Sequence, residues 1–305
     1  MASSLKIAAV FATMNRAATA LDCVRALARQ TRPPDWVIVA DNVSTDETVA
    51  CLEHLRDLPF ELTVRRMPEN RGNAGGVMVV MDEAFAQGAD AVWILDDDSW
   101  PREKALEAML EGPWDPNMVR HPLQIDPGSG KFTWPLQITD GLGGWKLVWS
   151  EAELPEGPRI RSRISWTGAL LPRQVRDVVG AVHGDLFIRG EDEDYPWRIE
   201  QAGCPQEAIR AAVLDHPGPT DVVHWQFLGK SFFFERGLAD WKLYYKVRNM
   251  VWLKRRQVGN TRAATVALTY ALASCRIDGP NRLWLIGIAI RDGWRGHLGK
   301  WEGHP

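Results

Sequence analysis

The stretch Ala91 to Pro101, AVWILDDDSWP, constrains the chain more than any other. An apolar, strand-forming run from Ala91 to Leu95 leads into three consecutive carboxylates, Asp96, Asp97 and Asp98, and then into a Ser-Trp-Pro turn at which a strand must stop. Like charges at the end of a buried strand repel one another unless a cation or a set of donors compensates them. An oxygen-rich cluster of this kind suits Mg2+ or Mn2+. Asp96 and Asp98 should share a face because strand side chains alternate, provided the extended conformation lasts to the turn. The plainer alternative is a loop whose aspartates cap a helix starting near Pro101, but three in a row exceed what a cap needs, and buried charges must be paired. The expectation is a divalent-metal site at the tip of a sheet.

The preceding residues place that strand in a sheet. Strands are expected at Lys6 to Phe11, Trp36 to Ala40 and Glu61 to Arg66, with helices at Ala17 to Gln30, at Glu47 to Arg56 and from the glycine-rich Asn70–Gly76 segment to about Gln87. This alternation predicts a doubly wound, mostly parallel α/β sheet. Ligands of such sheets sit at the carboxyl ends of the strands, where ATMNR, DNVSTDE and DDD all fall.

A different texture follows from about Trp114 to Ser165. Pro, Gly and Trp punctuate extended pieces at Lys131 to Ile138 and Trp145 to Trp149, which predicts an inserted hairpin region. Ile164 to Leu170 reads as a strand and turn, and Arg173 to Val179 as a short helix. A second acidic run, Glu191-Asp192-Glu193-Asp194, opens a helix ending near Gly203. Carboxylates there gain from the helix dipole, but four are more than a cap requires, and crowding raises a carboxyl pKa in the way a general base needs. His224, after a short apolar run, is either a structural histidine or an imidazole completing a metal shell.

From about Gly237 the chain is helical by period, giving a division into a catalytic unit, 1–235, and a basic, Trp-rich helical region, 236–305. That region holds 13 Lys/Arg against 4 Asp/Glu, leaving 23 against 35 in the rest, within a net charge of -3. Such a tail suits either a solvated helical surface or contact with anionic lipid headgroups or a phosphate-bearing acceptor. The acidic body argues against nucleic acid, and 15 tryptophans favour glycan contacts. Four scattered cysteines without CxxC spacing read as reduced thiols. No apolar run approaches a bilayer span and the amino terminus lacks a signal-peptide core. A cytoplasmic protein is expected.

Five signatures, ATMNR, VADNVSTDET, NRGNAGG, ILDDDSWP and FIRGEDEDYPWRI, occur in register over roughly residues 5 to 256 and resemble the nucleotide-sugar-dependent glycosyltransferases of family 2, which have the GT-A fold. DDD, the Trp166-Thr167-Gly168 stretch and Tyr244 to Asn249 look most like the galactofuranosyl and rhamnosyl transferases of bacterial cell envelopes. The resemblance implies Thr13 and Arg16 in the nucleotide loop, Asp41 on the base, and Asn73 at the diphosphate with Gly75 and Gly76 allowing close backbone approach. It implies Asp96 and Asp98 around the metal and donor, Asp97 near the ribose or sugar, and His224 as the third metal ligand to Mn2+ or Mg2+. It implies Asp192 as catalytic base with Glu191 beside it, Asp194 as the alternative, and an acceptor pocket at Trp166 and Gly168.

The implied reaction is inverting transfer of a sugar from a UDP- or dTDP-sugar, galactofuranose favoured and rhamnose from dTDP-rhamnose the alternative. The acceptor would be a glycan or lipid-linked hydroxyl, with a peripheral contact at the inner face of the cell membrane. Without the long flanking domains of the family's galactofuran polymerases, a single addition is expected. Competing classes are a non-catalytic nucleotide- or glycan-binding protein and a nucleotidyltransferase.

Overall fold

A computed structural model describes residues 5–141, 144–163, 166–219, 221–227 and 230–303; of 224–227 and 230–233 it describes the backbone alone. The alternation expected at the start is present as β1 (Ile7–Thr13), α1 (Ala17–Ala28), β2 (Trp36–Asp41), α2 (Thr48–Glu53), β3 (Glu61–Arg66), α3 (Gly72–Ala86) and β4 (Ala91–Ile94). There follow β5 (Trp100–Pro101), α4 (Ala105–Leu110), β6 (Val119–Ile125), β7 (Leu136–Thr139), β8 (Trp145–Val148), β9 (Arg159–Arg161), β10 (Leu170–Pro172) and α5 (Arg173–Val179). The chain then forms α6 (Glu191–Gln201), β11 (Gln206–Asp215), β12 (Val222–Phe227), β13 (Lys230–Glu235), α7 (Asp240–Gln257), α8 (Asn260–Ile277) and α9 (Leu283–Arg295).

One sheet runs in the order β3-β2-β1-β4-β10-β6-β11-β5, with β9 also on β11. β3, β2, β1 and β4 are mutually parallel, as are β6 and β11, while β10, β5 and β9 run against their neighbours. All seven residues of β1 are buried, so the strand has no solvent face. Its side chains alternate between two cores. Ala8 and Val10 pack with α3, whereas Ile7, Ala9 and Phe11 pack with α1, α2 and α4. The sheet is thus covered on both sides, as a doubly wound sheet requires. The expected hairpin is the antiparallel pair β7 and β8, and the carboxy-terminal helices gather a further core that includes Phe187 and Phe234.

Three expectations are corrected. The extended conformation does not persist through the aspartates: β4 stops at Ile94, and a turn closes in which the Ser99 amide donates to the Asp96 carbonyl at 3.1 Å and the Ser99 hydroxyl to the same oxygen at 2.7 Å. Trp100–Pro101 is no strand-stopping turn but the edge strand β5, paired with the end of β11, so that no helix begins until Ala105. Two central strands, β6 and β11, escaped the sequence reading. In β6, Arg120, His121 and Pro122 interrupt the apolar pattern, yet the first two are buried, with Arg120 holding the carbonyls of Met109 and Pro113. Ile164 and Ser165, part of the strand expected before Leu170, lie outside the described residues.

Candidate functional site

Because β1, β2 and β4 are parallel neighbours, their carboxyl ends bring Thr13, Asp41 and the Asp96–Asp98 turn to one edge of the sheet. The Thr13 hydroxyl donates to Asp97 at 2.7 Å, and Arg16 reaches Asp97 at 3.3 Å and Asp98 at 2.8 Å. Burial pushes the Asp97 carboxyl up to about 6, against the pull of Arg16 and Thr13. Asp41 is buried and accepts the Ser44 amide at 3.2 Å, closing the loop after β2. The loops after β1 and β2 are laced together, since Asn15 accepts from the Thr45 amide and Thr48 from the Arg16 amide.

The imidazole brought to the aspartates is that of His216. Its Nε2 lies 3.7 Å from Asp96 and 3.5 Å from Asp98, and one donor atom from each of the three residues falls within 4.8 Å of the others. The pairing of Trp100 with Asp215 explains the meeting, because it sets the residue after β11 beside the turn two positions before β5. Burial disfavours the His216 imidazolium, but Asp96 and Asp98 prevail and raise it to about 9. Burial likewise opposes ionisation of Asp98, yet His216 and Arg16 hold it at about 2. Two carboxylates and an imidazole form a donor set that fits Mn2+ or Mg2+, and binding would release the histidine proton. The Thr167 hydroxyl donates to Asp96 at 2.5 Å and fixes its orientation. His224, implied as the third ligand by resemblance, has its backbone in β12, and its side chain lies outside the described residues.

The second acidic run occupies the first turn of α6. Gly190, with φ of 114°, precedes α6, whose first residue Glu191 is buried while Asp192 is exposed. Glu191 accepts from Asn73 at 3.0 Å, and its other carboxylate oxygen is buried without a partner among the described residues. Burial and then the neighbouring Asp192 raise the Glu191 carboxyl well above its usual range, and the Asp192 Oδ1 accepts the Gly190 amide at 2.8 Å. The charge of Asp96 acts on both carboxyls, so the two clusters stand within electrostatic reach of each other. Asp194, buried, accepts from Arg198 at 2.9 Å, and Glu193 pairs with Lys254.

The remaining residues that the resemblance implies have these surroundings. Asn73 is engaged by Glu191. A Cβ on Gly76 would stand 2.9 Å from the Ala12 Cβ, so the missing side chain lets α3 settle on β1, while one on Gly75 would stand 2.8 Å from the Arg71 Cβ. Gly168 has φ of 88° and donates its amide to the Ile94 carbonyl at 2.7 Å, which makes it the turn into β10. Trp166 is buried edge-to-face on Tyr195 at 5.6 Å, its indole N–H lacking a partner among the described residues. His216 and Thr167 were missed. The only sequence signal for His216 was a histidine before Pro-Gly at the end of an apolar stretch, and Thr167 stood inside the Trp166-Thr167-Gly168 signature without a role of its own.

Residues 9–148 match the family description "Glycosyl transferase family 2". The galactofuranosyltransferase GlfT1 of Mycobacterium tuberculosis (strain ATCC 25618 / H37Rv) is 28% identical over 200 residues, covering 64% of this chain and 64% of its own length. Its counterpart in Mycolicibacterium smegmatis is 29% identical over 214 residues, covering 67% of each. The chain therefore spans about two thirds of the length of the curated relatives it matches. Among solved structures, GalNAc-T7 with UDP, GalNAc and Mn2+ superposes with a TM-score of 0.59 at 14% identity, over 96% of this chain and 58% of that one. The mannosyltransferase PcManGT from Pyrobaculum calidifontis, in complex with GDP-Man and Mn2+, gives 0.52 at 17% identity, over 98% and 77%. These likenesses establish the GT-A fold.

Proposed function

The chain resembles the family 2 glycosyltransferases, galactofuranosyltransferases among them, and from that premise we propose that it transfers a sugar from a nucleoside-diphosphate sugar to an acceptor hydroxyl with inversion at the anomeric carbon. Galactofuranose from its UDP donor is the favoured cargo and rhamnose from dTDP-rhamnose the alternative; the acceptor is a glycan or lipid-linked hydroxyl. One observation supports the proposal: the charge of Asp96 acts on Glu191 and Asp192, about a hundred positions further along the chain, so the two acidic groups lie within electrostatic reach of each other.

In this proposal Asp192 accepts the proton of the acceptor hydroxyl as its oxygen attacks the anomeric carbon, and the bond to the diphosphate oxygen breaks. Glu191, held neutral by burial, keeps a second negative charge from accumulating beside it. Arg16, half exposed and paired with Asp98, would meet the phosphates. Mn2+ or Mg2+ held by Asp96, Asp98 and His216 would neutralise charge on the departing nucleoside diphosphate.

The test is metal-dependent release of nucleoside diphosphate from UDP-galactofuranose and dTDP-rhamnose. Pyrophosphate chemistry would indicate a nucleotidyltransferase, and no turnover with retained UDP binding a binding protein. Peripheral contact with an anionic membrane belongs to the same proposal. No helix among the described residues is long and apolar enough to cross a bilayer, but Leu268, Leu272, Leu283 and Trp284 are exposed on α8 and α9 of the basic carboxy-terminal region. Salt-sensitive sedimentation with phosphatidylglycerol vesicles would support contact; its absence at low salt would refute it.

A further inference from the structure

We propose that Arg248 and Asn249 of α7 are positioning residues for the carboxylate pair Glu191 and Asp192, acting through the backbone of residues 185–190; the proposal rests on the transferase reading above. Neither touches the site itself, and both are enclosed, at 1% and 0% exposure. Asn249 Nδ2 faces the carbonyls of Leu186 at 2.8 Å, Ile188 at 3.1 Å and Arg189 at 2.5 Å. Arg248 Nη2 donates to the Leu186 carbonyl at 3.0 Å and lies 3.4 Å from that of Asp185, while its Nη1 donates to Gly299 at 2.7 Å. Its Nε donates to the Asn249 side-chain oxygen at 2.8 Å, which turns the amide N–H groups toward the loop. A buried guanidinium and amide committed to carbonyls give a segment without ladder partners its hydrogen bonds.

That segment has a conformation that needs holding. Phe187 and Arg189 adopt φ of 68° and 66°, and Gly190 adopts 114°. L side chains rarely occupy this region, and such geometry persists only where the surroundings impose it. A Cβ on Gly190 would meet the Asn249 Cβ at 3.1 Å, so the loop lies directly on α7. From the other side the Phe187 carbonyl accepts the Ala74 amide at 3.0 Å, and its ring stacks on Tyr245 at 4.8 Å. The loop is clamped between the first turn of α3 and α7, and its next two residues are Glu191 and Asp192. Releasing the α7 side would displace the carboxylates and leave the nucleotide edge at β1, β2 and β4 intact.

The full-length variant Asn249→Asp keeps the size of the side chain, removes its N–H groups and sets a carboxylate against three carbonyls. Expected are a fall in kcat of about tenfold or more, as small misplacements in active sites produce, with KM for UDP-galactofuranose and Kd for UDP with Mn2+ within about twofold of wild type. Acceptors would be a panel of octyl glycosides. Hydrogen exchange at residues 186–194 should rise by about tenfold or more, with β1, β2 and β4 unchanged. Equal losses in kcat and UDP affinity, a rise in exchange throughout the chain, or unaltered exchange at 186–194 would each overturn the proposal. Should the wild-type protein release no UDP, the transferase reading fails, and exchange alone decides whether the pair holds the loop. Arg248→Lys, which keeps the charge but loses the fork, carries the same measurements if Asn249→Asp does not fold.

Discussion

Gly72→Ala tests the contact between the start of α3 and the loop that leads into Glu191 and Asp192. Gly72 has φ of 67°, and a Cβ there would lie 2.1 Å from the Phe187 carbonyl oxygen, 2.6 Å from its carbon and 2.8 Å from a ring carbon. The obstacle is mainly backbone, and it is held from behind by Asn249, so it has little freedom to retreat. Two effects add. Placing an L residue in the left-handed region costs about 1–2 kcal/mol, and forcing a methyl into a packed contact costs about 1–3 kcal/mol. The total is about 2–5 kcal/mol, or a fall in melting temperature of about 4–10 °C at roughly 2 °C per kcal/mol for a chain of this size. Gly130→Ala is the control, because Gly130 has φ of 68° but nothing within 4 Å of its Cβ position. It should lose the first contribution alone, leaving a difference of about 1–3 kcal/mol attributable to Phe187. Urea denaturation of both variants measures this directly. If the two lose the same stability to within about 0.5 kcal/mol, the packing of Gly72 on Phe187 is not as described.

Further outcomes follow from the site. Asp98→Ala and Asp192→Asn should both abolish transfer, but calorimetry should find UDP and Mn2+ binding retained only in the Asn variant, and equal loss of binding would refute the division between the clusters. His216→Ala should weaken Mn2+ binding in the presence of UDP by at least about tenfold, and EDTA should stop turnover; a His224→Ala variant that weakens the metal while His216→Ala does not would reverse the assignment. Glu191, raised by burial, stabilises the fold in its neutral form, fully below the ordinary glutamate range and progressively less as pH rises through its elevated value. Urea midpoints of the wild-type protein should therefore decline between about pH 5 and pH 8 more steeply than those of Glu191→Gln, and parallel curves would show that Glu191 is not buried as described.

What the amino-acid order alone determined is the local grammar. An apolar run followed by aspartates, repeated alternation of strand and helix, and an acidic helix start are patterns of neighbours, and they placed Asp96, Asp98, Glu191 and Asp192 on the right elements. Tertiary structure decided whatever depends on residues far apart. The Asp96–Asp98 arrangement comes from a turn locked by Ser99, where strand alternation had been expected to supply it. His216 reaches the aspartates only because the two-residue strand β5 pairs with the end of β11, a strand whose partner β6 carries buried Arg120 and His121 and so hides its own pattern. The absent side chain of Gly76 lets α3 settle on β1 and β2, a contact between residues more than thirty positions apart. Local sequence encodes which groups are available and which element each rides on, because propensity and periodicity act over a few residues. Which of those groups meet is fixed by strand register and by the packing of α7 beneath the loop, and these are settled only when the whole core closes.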